Sequence, residues 1–260
     1  MVIPSMPGYG FSGKPTTTGW DPARMARAWV MLMKRLGYTQ FVAQGGDWGA
    51  MVADVMATQA PPELLGIHLN WPFTVPPDID KALQTGNPLP SDLSADERRA
   101  CEQLDFSTRK AWAMPSRWRT AHRRYTESRI HPSAWQPSCL TTTRAVMSSS
   151  HAPLTDNSEA LHDDVLDNIT LYWLTNTAIS SARIYWENKF GFFAPKGVAI
   201  PVAVSAFPDE VCTTPRSWAE RAYPKLIYYN KLDKGGHFAA WEQPELFCQE
   251  VRAGFRSLRK

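Results

Sequence analysis

The feature that most limits what this chain can fold into is a five-residue turn, Gly45-Gly46-Asp47-Trp48-Gly49. It joins a short apolar run, Phe41-Val42-Ala43, to a longer one, Ala50-Met51-Val52-Ala53-Asp54-Val55-Met56. The first run has strand length and the second helix length, so the turn must convert strand to helix almost without a linker. Upstream, Asp21-Pro22 reads as a helix start, with Met25, Trp29, Leu32 and Leu36 at helical spacing and Gly37 as the stop. Downstream, Leu64-Leu65-Gly66-Ile67-His68-Leu69 reads as a buried strand. Helices alternating with buried strands predict a parallel sheet with crossover helices. At 260 residues and 43% hydrophobic content the chain suffices for one core carrying an inserted subdomain.

The alternation is interrupted and then resumes. From Pro72 to about Asp105 the texture is proline-rich loop and polar helix, and a long helical stretch is expected from Asp163 to Asn188. Val198–Val204 then reads as a strand, Pro215–Ala222 as a helix, Lys225–Tyr229 as a strand, and Pro244–Leu258 as a closing helix. The predicted fold is α/β, a mostly parallel sheet with flanking helices. Residues 1–71 and 189–260 are expected to form the core, and 72–188 an inserted helical cap. Val2-Ile3-Pro4 reads as the end of a strand that needs neighbours on both sides, so the first strands of the sheet are expected to be missing.

The turn also carries chemistry. Small residues two before and two after Asp47 permit a sharp bend that holds its side chain exposed at the carboxyl edge of the sheet. This is nucleophile-elbow geometry with Asp in the place where esterases have Ser. A carboxylate is already ionised at neutral pH and can displace at an sp³ carbon, leaving an alkyl ester on the enzyme. The helix N-terminus behind it favours the anion, and the Trp48 backbone N–H is positioned to stabilise the oxyanion formed when that ester is hydrolysed. The competing reading is an ordinary Asp helix cap in a glycine-rich loop. Gly235-Gly236-His237-Phe238 follows the last predicted strand, where a base serving that edge belongs. Asp209 and Glu210 follow the strand before it; either can orient His237, and either can equally be a solvated loop carboxylate. Tyr185, on its residues alone, passes as a helix core position.

Five stretches in this order resemble the microsomal-type epoxide hydrolases of the α/β-hydrolase superfamily. They are Pro7–Ser12, Gly45–Gly49, Arg183-Ile184-Tyr185-Trp186-Glu187-Asn188, Ala206-Phe207-Pro208-Asp209-Glu210 and Gly235–Ala240. The resemblance covers residues 1–106 and 158–260. It implies that Asp47 opens the epoxide, that His237 activates the water that cleaves the ester, and that Glu210 is the charge partner of His237. It further implies that Tyr185 is one of two phenols that give the epoxide oxygen a hydrogen bond. The implied partners are a small apolar epoxide and water, with a vicinal diol as product and detoxification as the setting. A haloalkane dehalogenase-like hydrolase uses the same Asp but needs halide donors in place of the phenols. A non-catalytic remnant of an epoxide hydrolase is the other alternative.

Two departures from the resemblance shape the expectations. The family's upstream His-Gly-x-Pro loop, source of the second oxyanion donor, would precede Met1, so Met1 is expected to be an internal start or the product of truncation. Residues 107–153 are atypical, with the basic run Arg117–Arg124, Thr141-Thr142-Thr143 and Ser148-Ser149-Ser150. They read as a nucleic-acid patch, as a disordered loop, or, as we favour, as out-of-frame translation. Three threonine codons read one base earlier encode only Asp, His, Asn or Tyr, and the same shift over Lys110–Pro115 permits the second phenol. With one phenol and one oxyanion donor lost, turnover is expected to be impaired. A single such donor contributes about 2.7–4 kcal/mol to the transition state.

Charge and cysteine usage exclude other classes. The net charge of +3 is scattered, with no basic stripe for nucleic acid outside Arg117–Arg124. Cys101, Cys139, Cys212 and Cys248 form no CxxC pair and fit no zinc site or disulfide framework, so free thiols in a reducing cytoplasm are expected. No apolar run is long enough to span a bilayer. No phosphate loop or histidine cluster calls for a cofactor or metal. Oligomeric state is not legible.

Overall fold

The computed structural model describes residues 1–110, 158–188 and 197–259. The basic run Arg117–Arg124, Cys139, the triple threonine and the frame-slip segment of 107–153 beyond residue 110 lie outside them. Contacts divide the chain into two compact units, Pro22–Arg109 with Phe190–Lys260, and Met1–Asp21 with Lys110–Lys189.

The larger unit contains a four-stranded sheet, all parallel, in the order β1 (Phe41–Gly45), β2 (Leu64–Leu69), β3 (Val202–Ala206), β4 (Leu226–Lys231). β3 is buried at all five positions, as a central parallel strand covered on both faces must be. β1 was expected to be buried and is not. It is the outer strand of the described sheet, with Val42 39% exposed and only Gly45 buried. β3 also starts later than its sequence suggests. Pro201 has no N–H for the ladder, so pairing begins at Val202, while the Pro201 carbonyl accepts from the Ile67 N–H.

Helix α1 (Pro22–Arg35) packs on α2 (Trp48–Gln59), which is apolar on nearly every side and correspondingly buried. Leu36, expected on the buried face of α1, lies beyond its end and is 52% exposed. Helices α3 (Pro77–Thr85) and α4 (Ala95–Lys110) were read as the start of the inserted cap. Contacts group them with the sheet instead. The reason is a shared apolar cluster in which Val75, Ile79, Ala100, Cys101 and Leu104 pack with Cys212 and Trp218. Cys101, Cys212 and Cys248 are free thiols, the first two buried.

In the smaller unit the expected single helix over 163–188 is two, α5 (Ser158–Thr175) and α6 (Ala178–Glu187). Asn176 at φ 51° breaks them, a left-handed conformation that Asn tolerates better than most residues. The loop 1–21 is pinned along α6. Ser180 donates to the Gly8 carbonyl and Tyr9 to the Ser181 carbonyl, while Arg183 donates to the carbonyls of Pro15 and Thr17. Glu187 accepts from the amides of Gly19 and Trp20. The rest of the larger unit comprises α7 (Arg216–Ala222), α8 (Ala239–Glu242), α9 (Pro244–Gly254) against β3 and β4, and a 3₁₀ turn at Arg256–Leu258. Among the described residues no helix is long and apolar enough to cross a membrane.

Candidate active site

The end of β1 runs into the turn, and its geometry explains the glycines. A Cβ on Gly45 would lie 2.2 Å from the Gly49 carbonyl oxygen, and one on Gly46 would lie 2.5 Å from the Asn70 side-chain oxygen. At Gly45 the clash is with backbone and no side chain is tolerated; at Gly46 a side chain would have to displace the Asn70 amide. Asp47 between them and the helix sits at φ 47°, ψ −129°, a strained conformation for a residue with a Cβ. Its carboxylate makes no hydrogen bond to the helix it precedes, which removes the ordinary-cap reading. The side chain is 47% exposed, and Trp48 takes the first position of α2.

His237 reaches the same place from the loop after β4. Its Nε2 lies 3.7 Å from Asp47 Oδ2, and its Nδ1 lies 2.6 Å from Glu210 Oε1. The imidazole side chain is only 8% exposed and that of Glu210 2%. Asp209 and Glu210 were both open as partners. Asp209 is tied by its backbone, whose N–H donates to the Gly235 carbonyl, and Glu210 meets the ring. The structure therefore brings Asp47, Trp48, His237 and Glu210 together in one unit. Tyr185 lies on α6 of the other unit and is 41% exposed, not the core position its residues alone suggested.

Charge is concentrated in this line of groups. Burial pushes the Glu210 carboxyl up, against the pull of His237 beside it. Burial pulls His237 down, but the two carboxylates facing its nitrogens outweigh it and push its pKa up to about 10. In the free protein the imidazole is thus charged at neutral pH, held between one exposed carboxylate and one buried one. Glu210 Oε1 also accepts from the Val211 N–H, which fixes the carboxylate that fixes the ring.

Three supporting side chains escape a reading of the sequence. Glu242 accepts from the amides of Gly236 and Phe238, the residues on either side of His237. A Glu four residues past Phe238, within one helical turn of it, is the local signal that would have found it. Asn70 abuts Gly46 and accepts from Gln44 Nε2. Trp71 lies against the His237 ring. Among the described residues no cluster of His, Cys, Asp or Glu is suited to a metal ion.

This fold and turn have known counterparts. The family model described as the alpha/beta hydrolase fold matches residues 1–128. Epoxide hydrolase 1 of Oryctolagus cuniculus is 32% identical, over 96% of this chain and 58% of its own length. A relative from Stigmatella aurantiaca that also bears an epoxide hydrolase name is 44% identical, over 100% of this chain and 56% of its own. The crystal structure of juvenile hormone epoxide hydrolase from Bombyx mori superposes with a TM-score of 0.72 at 28% identity, covering 98% of this chain and 64% of that one. The chain has the α/β-hydrolase fold. Over nearly its whole length it is similar to these proteins that bear an epoxide hydrolase name, and it spans a little over half the length of these curated relatives.

Proposed function

We propose that this chain hydrolyses an epoxide to a vicinal diol through an ester on Asp47. The observation that carries the reading is the line of three groups, with an exposed carboxylate at one end, a buried one at the other and an imidazole between them. An Asp47 oxygen attacks a ring carbon, the carbon–oxygen bond breaks, and the departing alkoxide takes a proton from a phenol, for which Tyr185 is the candidate. The ester is left on Asp47. His237 then takes a proton from water as that water adds to the ester carbonyl, and the Trp48 N–H stabilises the oxyanion. Collapse returns that proton to the diol oxygen and frees Asp47 as its acid, which gives its own proton to His237, while the phenolate recovers its proton from solvent.

The electrostatics time these steps. With Asp47 ionised, His237 is held protonated and is no base. Once Asp47 is an ester its charge is gone and that support for the imidazolium disappears. Only Glu210 is then left to oppose desolvation, so the imidazolium passes its proton to solvent more readily and becomes the base that the second step needs. The base is released by formation of its own substrate.

The test is trapping. Incubation with styrene oxide should leave an adduct of the epoxide's mass on a peptide containing Asp47 in His237→Gln, and none in Asp47→Asn. Diol formation without halide release from a haloalkane separates this reading from a dehalogenase. The absence of any adduct in His237→Gln leaves the non-catalytic remnant. Turnover by the unmodified chain is expected to be slow, because the second phenol of the resemblance maps to the segment after Lys110. A rate typical of an intact enzyme overturns that part.

A further inference from the structure

The gap between Asp47 and His237 needs a gauge, because the two residues come from opposite ends of the larger unit's sequence. The segment leaving β2 touches the turn that carries Asp47 and the ring of His237. Asn70 donates its backbone N–H to the Gly45 carbonyl, and its side chain fills the space beside Gly46. The next residue, Trp71, meets the His237 imidazole in a T-shaped contact, with centroids 5.3 Å apart and planes at 78°. On its other side Trp71 overlaps Phe73, at 4.1 Å and 31°. Phe73 is 3% exposed and has φ 47°, a left-handed backbone that a bulky aromatic residue rarely adopts. Its surroundings hold it there, and the consequence is an aromatic floor under Trp71.

We infer that Trp71 is a positioning residue for His237, holding the imidazole in register with Asp47 from the same short segment that seats the turn. The carboxylates at Nδ1 and Nε2 fix the direction of the ring's long axis, but neither limits rotation about that axis. Ring contacts do. Trp71 and Phe238, the latter at 5.2 Å and 74°, both contact the imidazole. Phe238 is the residue next to His237 in the chain and moves with it. Trp71 follows β2 by two residues and is anchored independently, on Phe73. The inference rests on the proposed ester mechanism for its kinetic consequence and on geometry alone for its structural one.

The experiment reads both. In single-turnover quench experiments with styrene oxide, Trp71→Ala and Trp71→Leu should form the Asp47 ester within about threefold of the wild-type rate. They should hydrolyse it roughly tenfold to a hundredfold more slowly, the scale expected for a small misplacement of a reacting group. Trp71→Phe, which keeps a ring, should restore hydrolysis to within about threefold. Two outcomes overturn the inference: Trp71→Leu hydrolysing the ester as fast as wild type, or all three variants slowing both steps alike. The second readout needs no turnover. The proton shared between His237 Nδ1 and Glu210 should give a downfield proton resonance in the ligand-free protein, and Trp71→Leu should broaden it by faster exchange with water. If wild type forms no ester, the ester mechanism fails and this resonance alone decides. Unchanged in Trp71→Leu, it overturns the positioning role.

Discussion

His237 and His68 are both shut away from solvent, and burial leaves them in opposite states. His68 sits in β2 with no exposed surface, edge-on to Phe247 and Phe255. Among the described residues no carboxylate touches its ring; its Nε2 meets the Ser205 hydroxyl at 3.0 Å, and only then does the chain reach Glu250. Desolvation wins, and its pKa is pushed down to about 4. His237 suffers the same desolvation, but a carboxylate faces each of its nitrogens, and its pKa goes up to about 10. What separates a structural from a reactive histidine here is one intervening hydroxyl. A ring that reaches its carboxylate only through a neutral hydroxyl stays neutral, whereas one held between two carboxylates is charged.

The sharpest way to break this comparison is to remove each ring in turn. His237→Gln should lower turnover by about 10³-fold or more, with the Asp47 ester accumulating, the scale of a lost general base. His68→Gln should leave both chemical steps within about twofold and lower stability by about 2 kcal/mol in urea unfolding, a typical buried-polar loss. Should His68→Gln slow ester hydrolysis as His237→Gln does, the two histidines belong to one system and the contrast fails.

The elements on one side of this contrast were legible in the sequence and those on the other were not, for a physical reason. Asp47 and His237 announce themselves because a strained turn needs glycines at particular offsets and because a base must follow the last strand. Those are local constraints, written within a few residues of each group. The choice of Glu210 over Asp209 rested on resemblance, since both lie in the same loop; the 2.6 Å contact of Glu210 Oε1 with His237 Nδ1 decides it in space. Trp71, Asn70 and the His68 network carry no such mark. Their partners lie far away in sequence, as with Ser205 and Glu250, and a strand residue that pairs polar groups in the interior looks like any other strand residue. The break at Asn176 and the late start of β3 at Val202 failed for a smaller reason. Hydrophobic spacing is continuous across both, and only backbone geometry interrupts it.

Acid distinguishes the two histidines without a change in sequence. An unfolded histidine takes up its proton near pH 6.5, while folded His68 stays neutral down to about 4. Its folded value is lowered, so the stability it contributes is complete above about pH 6.5 and is lost as pH falls towards 4. The full loss is about 3 kcal/mol, a sizeable part of an ordinary folding free energy. The sign for His237 is reversed. Its folded value is raised, so its contribution is complete below about pH 6.5 and is lost as pH rises towards 10. Urea unfolding of wild type and His68→Gln at pH 7 and pH 4 isolates the first effect, because the difference between them should move by about 3 kcal/mol, from about 2 kcal/mol in favour of wild type to about 1 kcal/mol in favour of the variant. A constant difference means that His68 is protonated in the fold or reached by water.

The smallest effect tests the hydroxyl itself. Ser205 has one proton, and it points at Glu250 Oε2, 2.7 Å away. Its oxygen can then only accept, so the proton between the two side chains belongs to His68 Nε2. His68 Nδ1 has no hydrogen-bond partner among the described residues, which suits a bare nitrogen and not an N–H. Ser205→Ala should therefore strand the Nε2–H and cost about 1–2 kcal/mol in urea unfolding. Glu250 keeps Tyr228 and Asn230 as donors and contributes little to that loss. The tautomer is checked directly by the imidazole nitrogen shifts of wild type, which should show Nε2 protonated and Nδ1 bare at neutral pH. A protonated Nδ1 would mean that Ser205 donates to the ring and not to Glu250. The hydroxyl would then no longer insulate His68 from the carboxylate in the way the contrast with His237 requires.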